Sequence, residues 1–319
     1  MKDIPVEQRP LRSPLRFPGG KIRVASKLLV HAPPVEAIVQ YREPLCGGAA
    51  LFFRRPKAAK NWLNDSHPGL IAFFTALRDY PDEFLMLLRN RLVLKSKSEA
   101  KRYAYYRRQF DAMVNRRDLM GAQPPPRMKE PTWTLTRAFQ FYVINRCSWG
   151  GRVIYDPDRA CRLYFSNPAG LDNLPKKLEH LRLCSEKLQG VKLTCGDFAK
   201  CLTGLPPKMS PMHWTLIYLD PPYHRDTRAP TFDRLYDQTF TMKDHARLRK
   251  ALKRIHGRAF WMLSYGDCPE VRALYAGHRM VQLKWKYSGR QAVTAAMKKK
   301  GEKEVKVTGN ELLVLNYSF

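Results

Sequence analysis

Acidic side chains are few: 28 Asp and Glu stand against 57 Lys and Arg in 319 residues, a formal net charge of +29. That imbalance disfavours cationic partners and makes a polyanion, nucleic acid above all, the first partner to expect. The excess is spread along the chain rather than gathered in a tail, as expected of a folded body that grips phosphates with several surfaces; a merely solvated basic surface is the alternative. The seven cysteines contain no CxxC pair and no Cys/His cluster at zinc spacing, so neither a disulfide framework nor a structural metal is expected. Their odd number suggests reduced thiols. The opening MKDIPVEQRP has no apolar signal core, and the longest apolar runs fall short of the ~18 residues that a membrane span needs. These absences point to a cytoplasmic protein with no membrane partner and no metal.

What is present is enough for a core, since 44% of the residues are apolar. Over residues 1–75, short β-branched runs alternate with helical periodicity in a βαβ rhythm. From 76 to 165 the pattern turns to long helical stretches, broken at Pro124-Pro125-Pro126. The alternation then returns, with strands expected at VKLTC, WTLIYLD, RAFWMLS, Met280 to Lys286 and ELLVLNY. A polar, basic stretch before the last strand, including Lys298 to Lys306, reads as a loop or hairpin. The architecture expected is a parallel α/β sheet interrupted by a helical module, with any ligand beyond the carboxyl ends of the strands.

The sharpest local signal is Asp220-Pro221-Pro222-Tyr223, immediately after an apolar strand. It also fits an ordinary strand-ending turn. Its chemical reading starts from the weak nucleophilicity of an exocyclic amine on a base, whose lone pair is delocalised into the ring. Acceptors on the amine hydrogens return electron density to nitrogen. The Asp220 carboxylate and the Pro221 carbonyl suit that task, Tyr223 offers a ring face to an unstacked base, and Pro221-Pro222 stiffen the backbone.

Four further segments sit at strand ends or helix starts. Glu43-Pro44-Leu45-Cys46-Gly47-Gly48 permits close approach of a ligand to the backbone near a helix N-terminus. Asp65, about twenty residues on, is placed to accept the hydroxyls of a ribose, or to cap a helix. Phe17-Pro18-Gly19-Gly20-Lys21 opens a helix but lacks GxxxxGK[ST] spacing, which disfavours ATP hydrolysis. Asp197-Phe198, taken alone, reads as a capped helix start.

In their order, RFPGGK, EPLCGGAALFF, NDSHPGLI, INRCSWGGR, CGDF, LDPPY, FWMLSYGD and ELLVLNY resemble the Dam-type DNA N6-adenine methyltransferases from about Leu15 to Tyr317. The resemblance implies S-adenosylmethionine as methyl donor on a Rossmann-like sheet with helices on both faces, and double-stranded DNA as partner. Residues 1–75 and 166–319 would form the catalytic domain, and 76–165 a helical target-recognition insertion. By position, Phe17, Gly19 and Lys21 would contact the cofactor, the lysine near its carboxylate. Glu43, Leu45 and Gly47 would line its loop, Asp65 hold the ribose, and Asp197 with Phe198 receive its adenine, while Asp220 to Tyr223 would hold a flipped target adenine. In-line attack by N6 would displace the methyl group, with the proton lost late to solvent or to Asp220 and no metal required.

The sequence departs from the family at Phe17, Leu45 and Ala49, where Trp or Tyr, Phe and Gly are frequent. Expected DNA contacts are Arg102, Arg107, Arg108, Arg146, Trp149 and Arg152, against a default reading of an arginine-rich helix as a solvated face. A monomer is expected, with a dimer as the alternative, in the cytoplasm of a bacterium or of a phage's host. Rival functions are N4-cytosine methylation, RNA as substrate, a non-catalytic DNA-binding protein of the same fold, and a plain basic structural protein.

Overall fold

The computed structural model describes residues 4–17, 19–92, 98–116, 128–148, 151, 153, 165, 171, 173–210, 213–223, 240–286 and 308–318. Seven strands form one sheet: β1 Ile38–Glu43, β2 Lys60–Asp65, β3 Lys192–Cys195, β4 Trp214–Leu219, β5 Phe260–Gly266, β6 Arg279–Lys286 and β7 Thr308–Leu315. Their spatial order is β3-β2-β1-β4-β5-β7-β6. β1 to β5 run parallel, whereas β7 is antiparallel to both β5 and β6. The sheet is therefore mixed, not purely parallel as the alternation suggested. Hydrophobic pattern sets the faces a strand buries but is indifferent to its direction, so the reversal of β7 leaves no mark in the sequence.

Alternation explains the two cores. Leu216 and Tyr218 of β4, Met262 of β5, and Leu313 and Leu315 of β7 bury on one face. The residues between them, Ile217, Leu219, Trp261, Leu263, Leu312 and Val314, bury on the other. Both faces need a cover of helices, and both receive one. The first core is closed by α1 Ala25–Leu29, α2 Ala50–Arg54, α3 Pro68–Asp79, α4 Pro81–Leu92, α5 Glu99–Val114, α6 Thr132–Cys147 and α7 Leu174–Leu188. The second is closed by α8 Met242–Arg254 and α9 Pro269–Leu274.

Local chemistry starts these helices where they start. Pro68 at the first turn of α3 needs no N–H partner, and the His67 ring accepts from Leu70 N–H at 3.3 Å. Thr241 and Asp244 form a reciprocal capping box at α8. α6 is buried almost all round, and its Tyr142 stacks on Phe73 of α3 with ring planes 2° apart and centroids 5.7 Å apart. Phe84, Leu88, Phe110 and Ile144 from the helical stretch thus share one core with Leu63 and Leu70 of the sheet layer. Among the described residues no helix is long and apolar enough to cross a membrane, no group of three His, Cys, Asp or Glu could hold a metal ion, and the cysteines are free thiols.

Candidate active site

The strand order reverses between β1 and β4: β2 and β3 follow on one side, β5 on the other. Loops leaving the two strands part there, which opens a crevice at their carboxyl ends. Glu43 ends β1, Asp65 ends β2 and Asp220 follows β4, so parallel pairing brings three carboxylates from distant sequence to one edge. They line a cavity of about 210 Å³ together with Phe17, Lys21, Leu45, Gly47, Asp197, Phe198 and Pro222. Ten of the residues expected at the site therefore meet in one place. Gly19 stands just behind, its carbonyl accepting from Lys21 Nζ at 3.0 Å. Pro221 is buried, and Tyr223 packs against the second core.

Each carboxylate has a different setting. Asp65 accepts from Gly47 N–H through Oδ2 and from His67 N–H through Oδ1, both at 2.9 Å. Each oxygen retains acceptor capacity for a further donor, as a ribose diol requires. Burial raises the Asp65 pKa, opposed by those backbone hydrogen bonds. Glu43 is fully buried, and its Oε1 accepts from Phe52 N–H at 2.8 Å and from the Tyr41 hydroxyl at 2.7 Å. Burial lifts its carboxyl to about 7. Asp220 is clasped by Lys21, whose Nζ lies 2.8 and 2.9 Å from its two oxygens.

The loop after β1 is shaped by close approach. Gly47 has φ 47°, and a Cβ there would come within 2.9 Å of the Phe17 ring. Ala49, at φ 50°, takes a left-handed conformation with a side chain present. Asp197 caps the 3-10 turn Phe198–Leu202 by accepting from Ala199 N–H at 2.9 Å, and it also pairs with Arg247 at 2.7 Å. The Arg247 hydrogen bond holds its carboxyl below the usual range. Arg247 in turn lies 4.4 Å from the centroid of the Phe198 ring. The capped-turn reading of Asp197 is realised, and the residue also stands on the cavity wall.

The expected DNA contacts are scattered. Arg102, Arg107 and Arg108 stand on α5, where Arg107 is held by Asp111 one turn on, at 2.8–2.9 Å. Arg146 stands in the last turn of α6 and lines a second recess of about 380 Å³, with Arg12, Arg16, Lys177 and His180. Ser13 and Ile22 line both hollows, so the two adjoin. Burial first, then the charge of Arg146, pulls the Arg16 guanidinium below its ordinary value. Trp149 and Arg152 lie outside the described residues, as do Cys161 and the stretch from Lys298 to Lys306.

Two site residues escaped sequence reasoning. Arg247 lies on a charged helix whose spacing says nothing of what faces the cavity. Glu311 lies in β7 just before its apolar run Leu312 to Leu315 and is 2% exposed. An acidic residue heading a run destined for the core was the available signal, because a buried carboxylate needs partners.

Residues 17–289 match the family model of the D12 class N6 adenine-specific DNA methyltransferases. The chain is 26% identical over 271 residues to the type II methyltransferase M1.LlaDCHI of Lactococcus lactis, covering 83% of this chain and 84% of that protein. It is 24% identical to the type II methyltransferase M.MjaIII of Methanocaldococcus jannaschii, over 76% of this chain and 80% of that one. Identity to the DNA adenine methylase of Vibrio cholerae is 24%, over 84% and 86% of the two chains.

Proposed function

Because the chain belongs to the D12 class of N6 adenine-specific DNA methyltransferases, and so methylates N6 of adenine in DNA, we propose that the cavity at the β1/β4 reversal binds S-adenosylmethionine and that Asp220 to Tyr223 hold the target base. The observation that carries this reading is the convergence of Glu43, Asp65 and Asp220 on one cavity between aromatic walls. The donor set fits the cofactor piece by piece. Asp65 has acceptor capacity for the ribose hydroxyls, Phe198 with Arg247 across its face offers a platform for adenine, and Glu43 and Lys21 supply opposite charges for an amino-acid end. When bound, S-adenosylmethionine supplies an electrophilic methyl group on a charged leaving group.

The protein's own task is then alignment and exclusion of water. An adenine turned out of the duplex enters beside Asp220, whose carboxylate accepts an N6 hydrogen while the Pro221 carbonyl accepts the other. Pro221-Pro222 keep the two acceptors at fixed spacing, so little reorganisation is needed as nitrogen gains nucleophilic character. The proton released on methylation leaves late, to Asp220 or to solvent. No metal enters this account.

DNA contact falls to the helices of 76–165, read as a recognition module, and to the basic recess of Arg12, Arg16, Arg146 and Lys177 beside the cavity. Asn145 links the two. Its Oδ1 accepts from Arg16 N–H at 3.1 Å, and its Nδ2 donates to the carbonyls of Arg16 and Gly151 at 2.6 and 2.7 Å. Gly151, just beyond the end of α6, is thereby tied to Arg16 beside the recess. We read the working unit as a monomer on double-stranded DNA.

The test is incubation with S-adenosylmethionine and unmethylated duplex DNA, digestion to nucleosides and mass spectrometry. N6-methyladenine is expected from the native protein, with a loss of about 10²–10³-fold in rate for Asp220→Ala. An Asp220→Ala protein of native rate would remove Asp220 from the base site, and N4-methylcytosine as product would reassign the base.

A further inference from the structure

Glu311 heads the ELLVLNY segment, which by itself gives it no role at the site, yet it stands at the centre of the site's charge balance. β7 runs antiparallel beside β5, with Glu311 opposite Gly266, and this reversal delivers its side chain under the Asp220 segment. Its Oε1 accepts from the Tyr223 hydroxyl and lies 3.3 Å from Lys21 Nζ. The same ammonium clasps Asp220 at 2.8 Å and sits 4.9 Å from the centroid of the Tyr223 ring. One cation is therefore shared by two carboxylates, with a phenol tied to one of them. Among the described residues, three further groups stand near this cluster. Tyr218 on β4 hydrogen-bonds Ser264 at 3.0 Å, Leu283 on β6 is apolar and opposite, and Glu43 on β1 lines the same cavity as Asp220, whose charge opposes its own.

This arrangement poses a conflict for the base site. Asp220 is useful as an acceptor for an amine only when its negative charge is available, and Lys21 at 2.8 and 2.9 Å from both oxygens withdraws it. A second carboxylate half an ångström beyond contact distance gives the ammonium another seat. We propose that Glu311 is a positioning residue for N6 methylation, which fixes the Tyr223 ring through its hydroxyl and draws Lys21 off Asp220 when the target amine arrives. The proposal rests on the reading of Asp220 to Tyr223 as the base site. It acts through Lys21 and Tyr223 and requires no contact between Glu311 and the substrate.

Ionised Glu311 is the working form, because a neutral carboxyl attracts no ammonium. Burial, with Asp220 opposing and Lys21 favouring the charge, places its titration at about 7. The rate of the methyl-transfer step is accordingly expected to fall as pH drops through that value. Glu43 titrates in the same range, so assignment requires both Glu311→Gln and Glu43→Gln.

The experiment is single-turnover methylation of a duplex oligonucleotide from pH 5.5 to 9, with N6-methyladenine as readout, and with affinity for S-adenosylmethionine and DNA measured in parallel. Glu311→Gln keeps an acceptor for Tyr223 and so separates charge from packing. It is expected to slow the transfer step about 10- to 100-fold with both affinities nearly unchanged, and to abolish the acid limb that Glu43→Gln retains. Combined with Tyr223→Phe, its effect is expected to be less than multiplicative, since both changes act on one cluster. A native rate or an unaltered acid limb in Glu311→Gln overturns the proposal, as does a native profile flat across the range, which needs no variant. Failure of the underlying reading looks different: Asp220→Ala then methylates at the native rate.

Discussion

At Glu43 a single carboxylate carries both folding and chemistry. Its Oε1 ties the start of α2 to the end of β1 through Phe52 N–H, while burial moves its titration from the ordinary 4.5 to about 7. The folded state then holds this proton more tightly than the unfolded chain, so between those two values it binds more protons, and its stability falls as pH rises through that window. Above the upper value nothing further is lost. Glu43→Gln keeps both hydrogen bonds to Oε1 and removes the titration. The native protein is expected to gain on this variant by about 3 kcal/mol between pH 8 and pH 4.5, as read from urea unfolding at the two pH values. An equal difference between the proteins at both would show that Glu43 remains ionised in the fold. That Glu43 belongs to a site was legible from its place before Leu45 and Gly47. Its raised titration was not, because burial depends on what α2 and β4 lay over it.

The turn from β1 to α2 shows how an element end becomes a binding surface. Gly47 at φ 47° and Ala49 at φ 50° force the chain round so that Asp65 reaches Gly47 N–H. Gly47→Ala places a Cβ where the Phe17 ring now lies and adds about 1–2 kcal/mol of left-handed strain. Affinity for S-adenosylmethionine by calorimetry is expected to fall about tenfold or more, beyond the change in thermal stability. Native affinity would mean that the Phe17 ring takes no part in holding the cofactor. The glycine pair was readable as a close-approach turn, and the capped starts at Asp197 and Thr241 follow from side chains adjacent in sequence. The direction of β7 was not readable. It comes from pairing with β5 and β6, which are distant in sequence, and with it came Glu311.

Across the whole molecule the excess of 29 positive charges sets a field that attracts a polyanion, but its effect depends on where cations gather. Arg146 and Lys177 line one recess beside the cavity with Arg12 and Arg16, whereas Arg107 is matched by Asp111. If the recess grips the DNA backbone, Arg146→Gln and Lys177→Gln are each expected to flatten the dependence of log affinity on log salt by about 0.9, measured by fluorescence anisotropy over a salt series. An unchanged slope would place the phosphates elsewhere. By itself the sequence favoured a polyanionic partner and determined the positions of the strands and the Asp220 to Tyr223 turn, because net charge, period-two burial and turn chemistry are local or additive properties. Only the tertiary structure decided that α6 shares the core of the sheet layer, that Lys21 clasps Asp220, and that Glu311 stands beneath both. Those are contacts between segments up to hundreds of residues apart, and they exist only once strand order and direction are fixed.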